Sequence, residues 1–449
     1  MSIGALGLLL LVFALTPFLY YGLALFSSWK FFRPARKSAC RASVSEPEFT
    51  PAASILKPVR GSDPDVYDNF ASLCVQDYPD YEIVFCIDGP DDPVYSVITQ
   101  LRNDFPDRRI RVLFGSRSSA PNDKVAKLAR LTAEAEHEYL VINDSDVRVR
   151  PDYLRTLVAP LANPEVGAVT CFYLQSGDVG FTQHLQTVSM VSEFYAGILT
   201  DWNLEGVKFT LGPTIATTRE RLADFGGYES IDDRPADDLL VGQLIAEQGY
   251  KVELLRYCIQ VVADYGSVSD FLQKRLRWII EMRSIRPWGH FGLLFTQGLL
   301  GLALAAFIVP SAAIVFAYFA LYIAMRIAMT WVIGIRGLGR RELWTKLWLI
   351  PVWDLAALCL WLASFVVHRF RWRGGEYEIR HGLLIPVAAP AEADTMRPPR
   401  TTMEPESITA PLPTMMRALV ITKSCADRSA APRQSKAAIE SCFFILMTL

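Results

Sequence analysis

Basic residues are not in excess in this chain of 449 residues, where 45 Lys and Arg stand against 47 Asp and Glu. Such a balance leaves no electrostatic footprint for a nucleic-acid backbone, so DNA and RNA are excluded as expected partners. Paired cysteines are lacking as well. The eight cysteines (Cys40, Cys74, Cys86, Cys171, Cys258, Cys359, Cys425 and Cys442) are scattered, with no C-x-x-C pair. That spacing offers neither a disulfide framework nor a zinc site and fits reduced thiols facing a cytosol. No G-x-G-x-x-G or G-x-x-x-x-G-K-[ST] follows an apolar run, so the usual dinucleotide and nucleoside-triphosphate loops are missing. A bound diphosphate therefore needs another partner.

What is abundant is apolar sequence: 51% of residues are hydrophobic and only 20% charged. The excess is concentrated. Residues Ile3 to Phe26 carry no charge, a run long enough to cross a bilayer and longer than a signal-peptide core. Lys30, Arg33, Arg36, Lys37 and Arg41 follow it, which places the next segment on the cytosolic side by the positive-inside rule. A second apolar stretch, about Phe291 to Ile335, is broken by Pro310 and reads as two crossings joined by a short turn. A third, about Leu347 to Val367, conflicts with the charge rule if it crosses fully, because Arg369, Arg371 and Arg373 would then lie outside. Pro351 and Asp354 mark it as a candidate broken or re-entrant segment. The expected organisation is an anchor over residues 1–28, an α/β domain over 50–289, a membrane region of two to three spans over 291–368, and a disordered tail over 387–449.

In the middle of the chain, short β-rich runs alternate with longer polar segments, the pattern of strand and helix units around a largely parallel sheet. The runs are ASILK, YEIVFCI, IRVLF and EYLVIND. Ligands in such sheets bind beyond the carboxyl ends of the strands, so the polar residues there are the first site candidates. These are Lys57, which closes the first run, Asp88, Asp91 and Asp92 after the second, and Asp144 and Asp146 at the end of the fourth. A D-x-D at a strand end can hold Mg²⁺ or Mn²⁺ and leave positions for phosphate oxygens, although the same triplet occurs by chance in surface turns. Asp237 and Asp238 precede an apolar-periodic stretch, where helix capping is the plain alternative to catalysis. Phe181 to Trp202 repeats apolar residues every three or four positions, as a core helix or an acceptor-lining one would. His184 on that segment reads as a polar-face residue.

Taken in order, these pieces resemble the ceramide glucosyltransferase family. The resemblance is carried by S-x-L-K-P-x-x-G-x-D-P at Ser54 to Pro64, Q-D-Y-P-x-Y-E at Gln76 to Glu82, and D-D-P at Asp91 to Pro93. It continues through N-x-K at Asn122 to Lys124, D-S-x-x-R-V at Asp144 to Val149, R-P-x-x-L at Arg150 to Leu154, and a closing R-W at Arg277 and Trp278. It implies a GT-A type fold and an inverting hexosyl transfer from a UDP-sugar, foremost UDP-glucose, to a membrane lipid such as ceramide. It also places the family's three aspartates on Asp92, Asp144 and Asp238, with Asp88 a second candidate for contact with the uracil. Lys274 stands where Gln or Arg is expected, and keeps the charge without the planar donor fork.

The implied roles are general base for Asp238, metal ligation for Asp144 and Asp146, and donor binding for Asp88, Asp92, Lys124, Asp144, Arg277 and Trp278. A hopanoid or another lipid acceptor, with N-acetylglucosamine as the donated sugar, is a rival within the same chemistry. A processive polysaccharide synthase is a more distant rival, disfavoured by Lys274. A scaffold without activity is disfavoured by the full set of carboxylates.

Overall fold

The computed structural model describes residues 5–33, 49–116, 121–175, 180–262, 266–372, 375–380 and 382–387. The tail expected over 387–449 lies outside them but for its first residue. So do Arg36, Lys37, Arg41 and Arg373.

The four β-rich runs form β1 (Ala53–Pro58), β2 (Tyr81–Ile87), β3 (Arg109–Phe114) and β4 (Tyr139–Asn143). Four further strands complete the sheet: β5 (Val147–Arg148), β6 (Val166–Gln175), β7 (Thr214–Thr218) and β8 (Lys251–Val261). The order is β3-β2-β1-β4-β7-β6-β8-β5. β1 pairs in parallel with both β2 and β4, and β2 with β3, while β7 runs antiparallel to β4 and β6. Alternate residues feed two cores. Ile55, Ile83, Phe85 and Val141 enter one, whereas Leu56, Val84, Leu140 and Ile142 enter the other. This period of two leaves β1 and β2 buried on both faces.

The second core does not stop at the sheet. It continues through the amphipathic segment Phe181–Leu204, whose Leu185, Val188, Val191, Tyr195 and Ile198 are buried, and on to Tyr21, Tyr322 and Trp353 of the apolar helices. Core packing thus explains most of that segment's periodicity, and His184 meets Lys346 at 2.8 Å.

Two helices, Ala5–Phe32 and Ala312–Thr330 with its π-helical continuation Trp331–Gly337, are long and apolar enough to cross a membrane. Between them, the segments Pro287–Thr296 and Gly298–Ile308 meet at a bend of 54°. The helix Leu349–Ala363 has 15 residues. At 1.5 Å per residue it spans about 22 Å, short of a bilayer core of about 30 Å. It runs unbroken through the two residues expected to mark a break. Pro351 falls in the first turn, where its missing N–H costs nothing, and Asp354 is paired inside the protein. Asp354 accepts from Tyr322 Oη at 2.5 Å and Arg326 Nε at 2.9 Å and makes a second bond with Arg326 Nη2, while Arg326 also donates to the Ser192 carbonyl.

After this helix the chain returns to the α/β domain. β9 (Arg369–Trp372), β10 (Gly375–Arg380) and β11 (Leu383–Pro386) form a small antiparallel sheet. Phe370 and Leu384 pack on Ile280 of the helix Val268–Ile285, and Leu384 N donates to the Asp233 carbonyl. Arg369 and Arg371 therefore sit beside the α/β domain, and their conflict with the charge rule disappears.

Candidate active site

The strand order places the site. From β1 the sheet grows to one side through β2 and β3 and to the other through β4, so the chain reverses direction between β1 and β4. A crevice opens at such a switch point. Lys57, near the end of β1, has no exposed surface and donates to Asn143 Oδ1 and the Asp144 carbonyl, fixing the turn that carries the D-x-D. Burial pushes the Lys57 ammonium down to about 7 against the opposing pull of Asp146, Asp144 and Asp63.

The helix Asp123–Glu134 begins at Asn122, whose side chain accepts from Val125 N. It presents Lys124 and Lys127, three residues apart, to the ends of β4 and β2, the two strands that flank β1. Lys124 Nζ lies 2.8 Å from Asp144 Oδ1 and 3.3 Å from Asp237 Oδ2. Burial alone would lower the pKa of this lysine, but Asp144, Asp237 and Asp238 overcome it and hold the ammonium above its ordinary value. Asp146 is pushed up to about 6, first by burial and next by Asp144 beside it, with Lys274 and Lys57 opposing. Lys274 thus reaches the D-x-D electrostatically despite lacking the planar fork.

Asp237 and Asp238 open the helix Asp237–Glu247, but neither reads as an ordinary cap. The N-cap is Ala236, in the left-handed region at φ 54, and no side-chain cap bond is made. A non-glycine residue there costs about 1–2 kcal/mol, strain of the kind that gathers at functional sites. Thr210 Oγ1 donates to the Asp238 carbonyl at 2.6 Å. A Cβ on Gly242 would stand 2.4 Å from the Phe209 backbone, so only glycine permits this docking. The Asp238 carboxyl is pushed up to about 6 by burial and then by Asp237, with Lys124 opposing.

The helix Val268–Ile285 closes the cluster. Arg277 pairs with Glu281 at 3.0 Å, and Glu281 is pushed up to about 7 by burial, relieved by Arg277 and reinforced by Asp238 and Asp237. Trp278 packs against Phe194 at 6.1 Å and carries Lys274 Nζ 5.7 Å from its ring centre.

Asp88 and Asp92 follow β2, two strands from the D-x-D at the end of β4. Asp88 pairs with Lys127 at 2.5 Å and Arg60 at 3.5 Å. Asp92 accepts from Gly61 N at 3.2 Å and Val94 N at 3.1 Å, tying the loop after β1 to the start of the next helix. Asp144, Asp238, Lys124 and Arg277 are thus linked through direct pairs and fields, whereas Asp88 and Asp92 order the flank.

Several contributors escaped the sequence reading. Asp237 was visible only as a neighbour of Asp238, and Glu281 only as the residue four places after Arg277. Tyr228 gave no signal. Its hydroxyl is buried with no hydrogen-bond partner among the described residues, within the fields of Asp237, Lys124, Asp144 and Asp238.

Comparison with known proteins bears on this arrangement directly. The model of glycosyl transferase family 21 matches residues 9–385, which takes in the whole eight-stranded sheet and all but the first turn of the helix Ala5–Phe32 and the last residue of β11. The chain belongs to that family. Ceramide glucosyltransferase 3 of Caenorhabditis elegans is 25% identical over 241 residues, 53% of this chain and 51% of that protein. The ceramide glucosyltransferase of Gibberella zeae is 32% identical over 145 residues, 30% of this chain and 27% of that protein. The chain thus spans about half the length of the first of these relatives, and less of the other. Among solved structures, a mannosyltransferase from Pyrobaculum calidifontis in complex with GDP-Man and Mn²⁺ superposes with a TM-score of 0.50 at 20% identity, covering 79% of this chain and 99% of that one. This family 21 chain has the GT-A type fold, as its resemblance to the ceramide glucosyltransferases implied.

Proposed function

We propose that this protein transfers a hexose, with inversion, from a UDP-sugar to the hydroxyl of a membrane lipid, and that UDP-glucose and ceramide are its donor and acceptor. The observation that carries this reading is Lys124, which joins Asp144 of the D-x-D to the Asp237–Asp238 pair, so that donor-side and acceptor-side carboxylates share one cation. The names of the family 21 relatives support the choice of sugar and lipid.

The acceptor hydroxyl attacks the anomeric carbon opposite the leaving nucleoside diphosphate, and its proton passes to a carboxylate. Asp238 is that base. Lys124 already neutralises Asp144 and Asp237, and a raised pKa suits proton abstraction near neutral pH. Arg277 and Lys124 supply positive charge toward the departing diphosphate.

The D-x-D fits a hard divalent cation. Burial and mutual repulsion raise Asp146 beside Asp144, so a cation between them would relieve both. Among the described residues no group of three or more His, Cys, Asp or Glu could hold a metal. Mg²⁺ or Mn²⁺ on Asp144 and Asp146 would therefore complete its shell with water and phosphate oxygens, and would act as a Lewis acid on the diphosphate. Asp144→Ala and Asp146→Ala are each expected to weaken both the divalent-metal response and donor use in a metal titration. A double variant with the wild-type response would remove the assignment.

The α/β domain faces the cytosol in this reading, motivated by the basic run after the first apolar helix. Protease added outside sealed, right-side-out vesicles should leave the domain intact, and external cleavage would reverse the orientation. The reading as a whole is tested by incubating membranes that contain the protein with a panel of radiolabelled nucleotide sugars and separating the lipid products. Label in a soluble polymer, or in no lipid, would overturn it.

A further inference from the structure

A cavity of about 350 Å³ lies between the end of the helix Val268–Ile285 and β10, lined in part by Arg283, Ser284, His368, Glu378 and Arg380. Its charges do not cancel. Glu378 is engaged by Arg380 at 2.5 Å, whereas no carboxylate among the described residues lies within ion-pair distance of Arg283. The half-buried Arg283 guanidinium instead donates to the Ser364 carbonyl and meets His368 Nδ1 at 3.2 Å, neither of them a carboxylate. A partly desolvated guanidinium without a counter-charge is costly, and its planar fork matches phosphate geometry.

The position of the cavity names the source of the anion. Arg283 stands just before the helix Pro287–Gly292, where the apolar segments begin. Around it Trp288 is 65% exposed and Val366 79%, with Phe291 and Phe365 also exposed, an apolar rim next to cationic groups. Aromatic side chains at that boundary mark the level of lipid headgroups, and basic pockets beside membrane helices take anionic ones. The donor site is separate in its pairing, since Arg277 there already holds Glu281.

We propose that this cavity binds the phosphate of an anionic phospholipid, with Arg283 as its principal ligand and Ser284 and Arg380 beside it. The site is distinct from the transfer chemistry, so nucleotide-sugar turnover and lipid retention report on different things.

The test uses the full chain in detergent with phosphatidylglycerol or phosphatidylcholine, with retained lipid counted by native mass spectrometry. Wild type is expected to retain phosphatidylglycerol preferentially. Arg283→Gln should reduce that retention about tenfold, the loss of about 1.4 kcal/mol expected when a charge-assisted hydrogen bond is removed. Arg283→Lys should restore part of it. Arg380→Gln, which leaves the Ser364 contact intact, should also reduce it and serves if Arg283→Gln fails to fold. Equal retention of the two lipids by wild type, unchanged retention in Arg380→Gln, or binding of inorganic phosphate as tight as that of the lipid would each overturn the proposal. Displacement of the lipid by UDP would overturn it too, by assigning the cavity to the donor.

Discussion

Asp238→Asn is expected to lower turnover by about 10²–10⁴-fold while leaving nucleotide-sugar affinity near normal. The amide keeps the size of the carboxylate and its place beside Asp237 but cannot accept the hydroxyl proton. Helix capping does not confound this result. Asn caps about as well as Asp, so the backbone hydrogen bond from Leu239 would survive the change, and the N-cap position itself is Ala236. The same assignment fixes a pH dependence. A base must be ionised, and burial with Asp237 pushes Asp238 up to about 6, so kcat/KM should fall as the pH drops through that value. In Asp238→Asn the limb owed to this group should vanish from the residual activity. Transfer to lipid within a few-fold of wild type would remove Asp238 from the role and transfer it to Asp237.

The second large effect concerns stability. Arg326 and Asp354 retain only 5% and 8% side-chain exposure. Arg326→Met would leave the Asp354 carboxylate buried with the Tyr322 hydroxyl as its hydrogen-bond donor. Breaking a buried pair from one side typically costs about 3–5 kcal/mol, because the surviving charge is uncompensated. Arg326→Met/Asp354→Leu should recover most of that loss, since a well-packed apolar replacement is often neutral. Thermal unfolding in detergent distinguishes the cases. A single variant as stable as wild type would show that the pair is solvated or dispensable.

The parts legible in the sequence were those in which one physical signal dominates. Doubly buried strands need continuous apolar runs, so β1, β2 and β4 announced themselves, and the polar residue after each run fell at the crevice. The half built from β5 to β8 was not legible. β5 has two residues and β8 alternates exposure, so neither offers a long apolar run. Asp354 looked like a break in an apolar segment because its partner lies 28 residues away on another helix. The arginines after residue 368 looked misplaced because a short sheet returning to the α/β domain leaves no periodic trace. Likewise Glu281 acquires meaning only when the helices Val268–Ile285 and Asp237–Glu247 are brought together, and Tyr228 only when Asp237 and Asp238 meet Lys124 and Asp144.

That returning sheet also orders events during synthesis. β9 to β11 follow the apolar segments in the chain, yet Leu384 bonds to Asp233, four residues before Asp237. The loop leading into the helix Asp237–Glu247 gains this contact only after the ribosome has delivered everything through residue 384. A newly made α/β domain therefore lacks this contact beside Asp237 and Asp238 until the apolar segments have been synthesised, so completion of the candidate site waits on the helices that follow it in the chain.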